Sequence, residues 1–417
     1  MTTSHQQPAT SHYGKSMAIQ IHQVLATLGY GDAIGNEVLG IREVLRGAGY
    51  DSEIFVETAD HRLEHLTRDY RDLAECSAPG NILIHHFSIG SRASRVAFAL
   101  PDRMVLVYHN ITPPEYFLDV HPLLVRQCYR GRRELSAYAR RCDLALGDSE
   151  FNRQELEGMG FPATGVLPVV PGFSHLAVAP DRRVLEAFDD GWTNVLFVGR
   201  IIPNKRIDNV IRYFDAYQRF FNPRSRLVIV GSYTGFDRYY AMLQGLVARL
   251  GTSGVHFLGH VSNRELTACY DVSDVFLCAS EHEGFCVPLV ESFHKGVPVL
   301  AFEATAVPAT MDGAGVLYRT RDPWHVAALV DAVVSDAAVR ERIVAAQDAA
   351  LARLLASDFR ATLLGFIDRV LAAPSPARPL VTDDFWDQVA STERYEELQQ
   401  YRPALFHALP KAPSRVV

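Results

Sequence analysis

The chain has 417 residues, a net charge of −7 and 21% charged residues, values ordinary for a globular protein of two domains. The negative charge argues against a general nucleic-acid binder. The chain contains no run of about 18 apolar residues, so the sequence does not predict a membrane-spanning helix. Residues 1–16 are polar and lack the apolar region of a secretory signal, so we interpret them as a disordered tail of a cytoplasmic protein. The six scattered cysteines form no C-x-x-C pair, which indicates buried thiols and neither a disulfide framework nor a zinc site.

Short apolar, β-branched runs recur along the chain, each followed by a helix-like segment. Six precede residue 172, among them "NILIHHF" and "MVLVYHN", and six follow it, among them "TNVLFVGR" and "DVFLCAS". Continuous apolar runs are typical of strands buried on both faces, and their alternation with helices predicts parallel sheets. The predicted fold class is α/β, with two Rossmann-like, doubly wound domains facing a central cleft.

The turn residues Pro168, Pro171 and Gly172 predict a linker between the two halves. We therefore predict an N-terminal domain at 17–172, a C-terminal domain at 173–373 and an extension at 374–417. The extension contains "DDFWDQVASTERYEELQQY", which predicts a helix outside the sheet repeat that could pack back across the cleft.

A glycine-rich loop, "LGYGDAIGNEVLG", follows the first strand. Ligands of open α/β sheets bind beyond the carboxyl ends of the strands, and Gly29, Gly31 and Gly35 would let the backbone approach a phosphate or sugar closely before a helix begins near Asn36. The G-x-G-x-x-x-G spacing differs from the dinucleotide fingerprint. It therefore disfavours, as an alternative, an NAD-type oxidoreductase with Asp51 or Glu53 on the nucleotide ribose.

A histidine pair and an arginine cluster in the first half are weaker indications of function than the glycine-rich loop. His85 and His86 are adjacent in a strand and point to opposite faces, so they cannot easily share a metal ion. Arg126, Arg130, Arg133 and Arg140 follow helical spacing, with Arg132 and Arg141 nearby. Such a cluster could meet an anionic membrane surface, and a solvated helix face is the equal alternative.

Two motifs of the second half combine charge with a strand end. In "FVGRIIPNK", Arg200 and Lys205 flank a loop and can neutralise a diphosphate, although a basic pair is also common on a protein surface.

In "EHEGFCVPLVESFHKG", Pro288 and Gly296 predict a helix over 287–295 whose first amides form an anion site. Glu283 and Glu291 can each accept bonds from the vicinal hydroxyls of a sugar. The alternative is two solvated acids near a helix start.

Together these motifs resemble the retaining glycosyltransferases of family 4, which have the GT-B fold. "EHEGFCVPLVE" is similar to their E-x7-E motif and "FVGRIIPNK" to their diphosphate-binding loop. "YHNITPPEYF" and "LGDSEFNRQEL" are similar to their N-terminal segments, and the resemblance runs in order over about residues 17–370. It implies transfer of a hexose from a nucleotide sugar with retention of anomeric configuration, by a front-face route.

The resemblance also implies roles for single residues. Glu283 would contact the donor hexose, Glu291 the ribose, and Arg200 and Lys205 the diphosphate, with His109 near the anomeric centre. The implied catalytic residues are His109, Arg200, Lys205 and Glu283. The implied donor-binding residues are Gly31, Asp32, Gly35, Gly199, Arg200, Lys205, Ser232, His260, Val261, Glu283, Gly284, Phe285, Cys286, Val287 and Glu291. The candidate acceptor contacts are His85, His86 and Asn110.

The same motifs indicate which cofactors and which reaction to expect. The chain has no D-x-D motif, so we expect Arg200 and Lys205 to do the work of a metal ion, and we expect neither a metal nor another cofactor. A glycoside hydrolase is disfavoured because the resemblance assigns Glu291 to the ribose, whereas a hydrolase pair flanks one bond.

"YHNITPPEYF" and "ILIHHFSIGS" are most similar to bacterial polysaccharide and O-antigen mannosyltransferases. This favours GDP-mannose over a UDP-hexose, and a saccharide or lipid-linked acceptor over a small soluble one. An enzyme of this kind would lie in the cytoplasm, with Arg126–Arg141 as the segment facing the inner membrane. A catalytically inactive sugar-nucleotide-binding subunit is the remaining alternative.

Overall fold

The computed structural model of the protein describes residues 19–169, 172–375 and 377–391. The predicted tail, part of the predicted linker and most of the last predicted helix lie outside these residues. Seven parallel strands form the first sheet, in the order β3-β2-β1-β4-β5-β6-β7. They are β1 Ile21–Leu28, β2 Ile54–Ala59, β3 Thr67–Asp69, β4 Ile82–Phe87, β5 Arg103–Tyr108, β6 Leu144–Gly147 and β7 Thr164–Val166.

Six parallel strands form the second sheet, in the order β10-β9-β8-β11-β12-β13. They are β8 Thr193–Val198, β9 Ser225–Val230, β10 Val255–Gly259, β11 Val275–Cys278, β12 Val299–Phe302 and β13 Val316–Tyr318. The predicted α/β class and all twelve predicted strands are confirmed. The additional strand, β3, is a half-buried edge strand of sequence Thr-Arg-Asp, so it has no apolar run by which to recognise it.

Helices cover both sheets. They are α1 Ala33–Gly47, α2 Leu73–Cys76, α3 Arg92–Ala99, α4 Pro122–Tyr138, α5 Glu150–Gly158, α6 Arg182–Phe188, α7 Ile207–Phe220, α8 Asp237–Leu250, α9 Asn263–Asp271, α10 Val287–His294, α11 Val307–Met311, α12 Pro323–Ser335, α13 Ala337–Leu355, α14 Phe359–Ala372 and α15 Phe385–Ser391. Within the described residues, no helix is long and apolar enough to cross a bilayer.

Local sequence explains where the two helices nearest the cleft begin. α1 starts three residues before the predicted Asn36, because the Asp32 carboxylate caps it by accepting a hydrogen bond from the Gly35 amide at 2.6 Å. α10 begins at Val287 with Pro288 in its first turn, and Gly296 beyond its end has a φ of 65°, as predicted for a helix terminus.

The last two described helices return to the first sheet. Leu363, Ile367 and Val370 of α14 are buried in one cluster with Ile21 and Ile82 of the sheet. α14 therefore completes the N-terminal core, although it lies inside the range predicted for the C-terminal domain. α15 packs on α4, and its Phe385 and Trp386 rings contact Phe98 of α3.

Both sheets reverse their strand order at one point, between β1 and β4 in the first and between β8 and β11 in the second. Crevices form outside the carboxyl ends of parallel strands at such switch points. The segments that follow these strands lie next to the cleft and carry most of the residues singled out by sequence.

Candidate active site

A buried ion pair joins the two charged motifs of the C-terminal domain. The Lys205 ammonium donates to both oxygens of Glu283, at 2.5 and 2.6 Å. Burial lowers the pKa of Lys205, but the charge of Glu283 outweighs it and raises the pKa overall. Lys205 was expected to contact a diphosphate and Glu283 a hexose. In the structure the two side chains are paired with each other, and each fixes the other's position.

The loops that carry this pair are bonded to one another. The Asn204 side chain donates to the His282 carbonyl at 3.0 Å, and the Glu281 amide donates to the Asn204 carbonyl at 2.9 Å. The Glu281 carboxylate accepts from Arg206 at 2.7 Å and from Arg321 at 3.0 Å. Glu281 thus anchors the loop, whereas Glu283 lies further along it, four residues before α10 begins.

The segment at the start of α10 meets the N-terminal domain. A side chain at Gly284 would come within 3.0 Å of the Asn110 Cβ and 3.4 Å of the His109 carbonyl oxygen, so only glycine fits without displacing them. Cys286 has a φ of 75°, in the left-handed region. Phe285 and Val287 are half-buried on either side of it and pack against the second sheet's core.

Glu291 lies in α10 with both oxygens occupied. One oxygen shares a 2.8 Å hydrogen bond with the His175 Nε2 atom, and the other accepts from the Tyr270 hydroxyl at 2.8 Å. The hydrogen bond to Glu291 raises the pKa of His175. A ribose at this position would share or replace these two contacts.

The remaining predicted donor residues of this domain lie at strand ends. Arg200 is exposed, with its guanidinium 5.8 Å from the centre of the Phe236 ring. Gly199 and Gly231 pack so closely that a side chain at Gly231 would lie 1.8 Å from the Gly199 carbonyl oxygen. Ser232 bonds to the Thr234 hydroxyl at 2.8 Å. His260 is exposed and Val261 half-buried at the end of β10.

A chain of buried polar groups lies beneath the N-terminal side of the cleft. The His109 Nδ1 atom is 3.1 Å from an Asp148 oxygen, and its Nε2 atom is 2.9 Å from His86 Nδ1. His86 continues the chain to the Gln23 side chain at 2.9 Å. Both ring nitrogens of His109 therefore point into the domain, and its carbonyl oxygen, near Gly284, faces the other domain.

Glu37 of α1 adds a second carboxylate to this cluster, with an oxygen 3.8 Å from His109 Nδ1. Neither Glu37 oxygen, nor Oδ1 of Asp148, has a hydrogen-bond partner within the described part of the chain. Burial, followed by the charge of Asp148, raises the pKa of Glu37 to about 8. Burial lowers the pKa of His109, but the charges of Asp148 and Glu37 outweigh it and raise that pKa to about 9.

The candidate acceptor contacts differ in accessibility. His85 and His86 do point to opposite faces of β4, and both are almost fully buried. His85 bonds to the Ser94 hydroxyl at 3.1 Å, so its ring packs inside the domain. Asn110 has a φ of 68° and donates to the Asn152 side chain at 2.8 Å, which holds the turn that faces Gly284.

Gly29, Gly31 and Gly35 satisfy different backbone requirements. A side chain at Gly35 would lie 2.2 Å from the Gly29 carbonyl oxygen, whereas Gly31 has a φ of 72° with open space beside it. The segment "GDAIG" is thus half loop and half helix, because Gly35 lies in the first turn of α1.

Fewer side chains of the arginine-rich segment are exposed to solvent than the helical spacing of the arginines predicts. α4 ends at Tyr138, so Arg140 lies beyond the helix. Arg141 is buried and donates to the carbonyls of Phe98, Leu100 and Asp102, while Arg132 pairs with Glu155 and donates to the Ile111 carbonyl. Both arginines bind groups inside the domain. Arg133 is half-buried and donates to the Val389 carbonyl at 3.2 Å, so Arg126, Arg130 and Arg140 are the exposed members.

The architecture just described is shared with solved structures of two-domain glycosyltransferases. A sucrose-phosphate synthase from Thermosynechococcus elongatus superposes with a TM-score of 0.65 at 16% identity, covering 85% of this chain and 99% of that one. Anabaena HepE in complex with UDP-glucose gives 0.65 at 16% identity, covering 84% and 99%. The predicted GT-B fold is confirmed.

Sequence comparisons agree with the fold. Residues 181–348 match the family described as glycosyl transferases group 1, so the resemblance to this family is confirmed. O-antigen chain mannosyltransferase B of Escherichia coli is 28% identical over 258 residues, 58% of this chain and 65% of that protein. A GDP-mannose-dependent alpha-mannosyltransferase of Mycobacterium tuberculosis is 35% identical over 185 residues, 44% of each. The matches thus span less than two thirds of these curated relatives.

Proposed function

We propose that this protein is a glycosyltransferase that moves mannose from GDP-mannose to a saccharide or lipid-linked saccharide, with retention of anomeric configuration. The observation that carries the proposal is the buried Lys205–Glu283 pair near the start of α10, in the region that matches the glycosyl transferases. The choice of mannose rests on two relatives whose names specify mannosyl transfer.

In this proposal the donor lies across the carboxyl ends of β8 and β11. Arg200 and Lys205 neutralise the negative charge that grows on the departing diphosphate, which lowers the barrier to breaking the sugar–phosphate bond. The amides at the start of α10 donate hydrogen bonds to the same anionic group. With two cations and a helix end available, the proposed transfer needs no metal ion at the diphosphate.

Glu283 binds the hydroxyls of the transferred hexose, and Lys205 sets the direction of its carboxylate. Glu291 binds the ribose, with Tyr270 and His175 holding its two oxygens before the donor arrives. From the opposite side, the His109 carbonyl and the Asn110 turn face the sugar across Gly284. The leaving phosphate takes the acceptor's proton on the same face, and closure of the two domains excludes water.

The acceptor would enter from the N-terminal domain. Arg126, Arg130 and Arg140 are exposed cations of that domain, suited to an anionic lipid surface at about 1 kcal/mol per residue. Sedimentation with vesicles that contain anionic lipid, compared with neutral vesicles, tests this part alone. Equal sedimentation with both would place the acceptor in solution.

The deciding experiment is calorimetric titration of the protein in EDTA with GDP-mannose, UDP-glucose, UDP-GlcNAc and NAD⁺. We expect GDP-mannose to bind most tightly, and release of GDP on addition of a mannose-containing acceptor. Preference for a UDP sugar would change the donor while keeping the enzyme class. Binding of NAD⁺ alone would reject the transferase in favour of an oxidoreductase.

A further inference from the structure

Two of the six cysteines meet beside the Lys205–Glu283 pair. The Sγ atoms of Cys278 and Cys286 and a Glu283 oxygen all lie within 4.8 Å of one another. All three side chains are buried, and all six cysteines are free. Cys278 ends β11 and Cys286 precedes α10, so the loop between them folds back to bring the thiols together. Their sequence spacing matches no common zinc motif, which is why the sequence gives no sign of the pair.

The chemistry and the separation of these atoms fit a tetrahedral zinc ion. Thiolate sulfur and carboxylate oxygen are both zinc ligands, and bonds of about 2.0–2.3 Å place two ligands of one ion roughly 3.5–3.8 Å apart. Atoms already within 4.8 Å need only a small inward shift to reach that spacing. Two sulfurs also favour zinc over Mg²⁺ or Ca²⁺, which prefer oxygen ligands alone.

The neighbouring charges permit such an ion. The Cys278 thiol donates a hydrogen bond to the Ser280 hydroxyl at 3.4 Å, a contact that a metal ion on the sulfur would replace. Zinc would displace the thiol protons to solvent, so binding forms two Zn–S bonds and releases two protons, with no redox step. The Lys205 ammonium then balances the negative charge left by two thiolates and a carboxylate on one divalent cation.

We infer that Cys278, Cys286 and Glu283 form a binding site for zinc, and that zinc inhibits the protein by taking the Glu283 carboxylate. The binding site stands on the positions of these three side chains, whereas the inhibition rests on the proposed function, in which Glu283 holds the donor hexose. The ion therefore competes with the donor and has no part in the transfer.

The test variant is Cys286→Gly. It removes one sulfur at a residue whose φ of 75° glycine adopts more readily than cysteine, so the backbone conformation is kept. The matched control is Cys76→Ser, which removes a half-buried thiol of the N-terminal domain. Reduced, full-length protein would be titrated with zinc against a chromogenic chelator, and with Cd²⁺ while recording thiolate charge-transfer absorbance.

We expect one zinc per wild-type chain, affinity at least about 10-fold weaker in Cys286→Gly, and no change in Cys76→Ser. Cadmium should give thiolate absorbance in the wild type and much less in Cys286→Gly. Absence of zinc binding by the wild type, or equal affinity in Cys286→Gly, would overturn the site.

A separate arm measures GDP-mannose binding to zinc-free and zinc-loaded protein by calorimetry. Loss of donor affinity on zinc loading supports the inhibition, and unchanged affinity overturns it. If the zinc-free protein binds no nucleotide sugar, the proposed function fails, while one cysteine-dependent zinc per chain would still support the site.

Discussion

The two sides of the cleft satisfy their buried carboxylates in opposite ways. On the C-terminal side, both oxygens of Glu283 and both oxygens of Glu291 have donors from the protein. On the N-terminal side, Glu37 and Asp148 share one imidazole and leave three oxygens without a hydrogen-bond partner among the described residues. The carboxylates on the C-terminal side therefore have fixed hydrogen-bond partners before any ligand binds. The N-terminal side holds negative charge that protons partly neutralise, so it should respond to pH.

The largest expected effect comes from removing the Lys205 cation on the C-terminal side of the cleft. Lys205→Ala leaves the Glu283 carboxylate buried without its cation, which should lower the free energy of unfolding by about 3–5 kcal/mol. The nucleoside diphosphate should also bind more weakly. Chemical denaturation measures the first effect and calorimetry with GDP the second.

The double variant Lys205→Ala/Glu283→Ala is the control, because it removes both charges. Its loss of stability should be smaller than the sum of the two single losses. A strictly additive result would mean that the pair contributes no coupling energy, and unchanged affinity for GDP would remove Lys205 from the site.

Glu283→Gln should reduce turnover by about 10²–10³-fold while the protein stays folded, because one accepting carboxylate oxygen becomes an NH₂ group that can only donate. Turnover would be followed by release of GDP. Glu303→Gln is the matched control and should keep its rate, because Glu303 is a half-buried acid paired with the exposed Arg319. Near-normal turnover of Glu283→Gln would contradict its assignment to the hexose.

Glu291→Ala should weaken binding of GDP and of GDP-mannose alike, by about 10-fold, since the ribose is common to both. The Tyr270 hydroxyl also loses its acceptor, so a modest loss of stability should accompany the change. Comparison of the two ligands by calorimetry separates the roles. A loss confined to GDP-mannose would move Glu291 from the ribose to the hexose.

The last prediction concerns the N-terminal side of the cleft, where the stability of the protein depends on pH. The folded-state pKa values of Glu37 and His109 are raised to about 8 and about 9, so the folded protein binds more protons than the unfolded chain as pH rises toward these values. Stability should therefore fall with rising pH up to about 9.

Glu37→Gln cannot ionise in either the folded or the unfolded state, so it should flatten the fall in stability between the ordinary glutamate pKa of 4.5 and about 8, where only the unfolded wild type loses this proton. Thermal unfolding of both proteins over a pH series measures this. Asp60→Asn, on the exposed surface loop after β2, provides a control for charge alone. Parallel curves for wild type and Glu37→Gln would show that the N-terminal cluster holds no shared proton.

The site residues on one side of the cleft are easier to predict from the sequence than those on the other. The reason is how far apart the residues of each side lie along the chain. Glu283, the start of α10 and Glu291 lie within one short motif, and turn chemistry predicts the helix between them. Glu37, His86, His109 and Asp148 come from four different segments. Each of His86, His109 and Asp148 lies at or just after the end of an apolar run, and the rule that ligands bind beyond the carboxyl ends of strands places them near the cleft.

That rule could not predict the hydrogen bonds among these residues. It also missed Glu37, because Glu37 lies inside a helix that starts earlier than the glycine pattern indicates. Its pattern, an acid one turn after a helix-capping aspartate, has no distinguishing signal. The pairing of Lys205 with Glu283 was missed for a similar reason, since a diphosphate and a carboxylate suit the same ammonium group equally well.

The return of α14 to the first sheet has a consequence for biosynthesis. Leu363, Ile367 and Val370 fill the same buried cluster as Ile21 at the start of β1, so one face of the N-terminal domain is covered by a helix that is made only after the second sheet. That face stays exposed while the second domain is translated, which offers chaperones a binding surface. Truncation before residue 359 would therefore impair the N-terminal half more than the half it shortens.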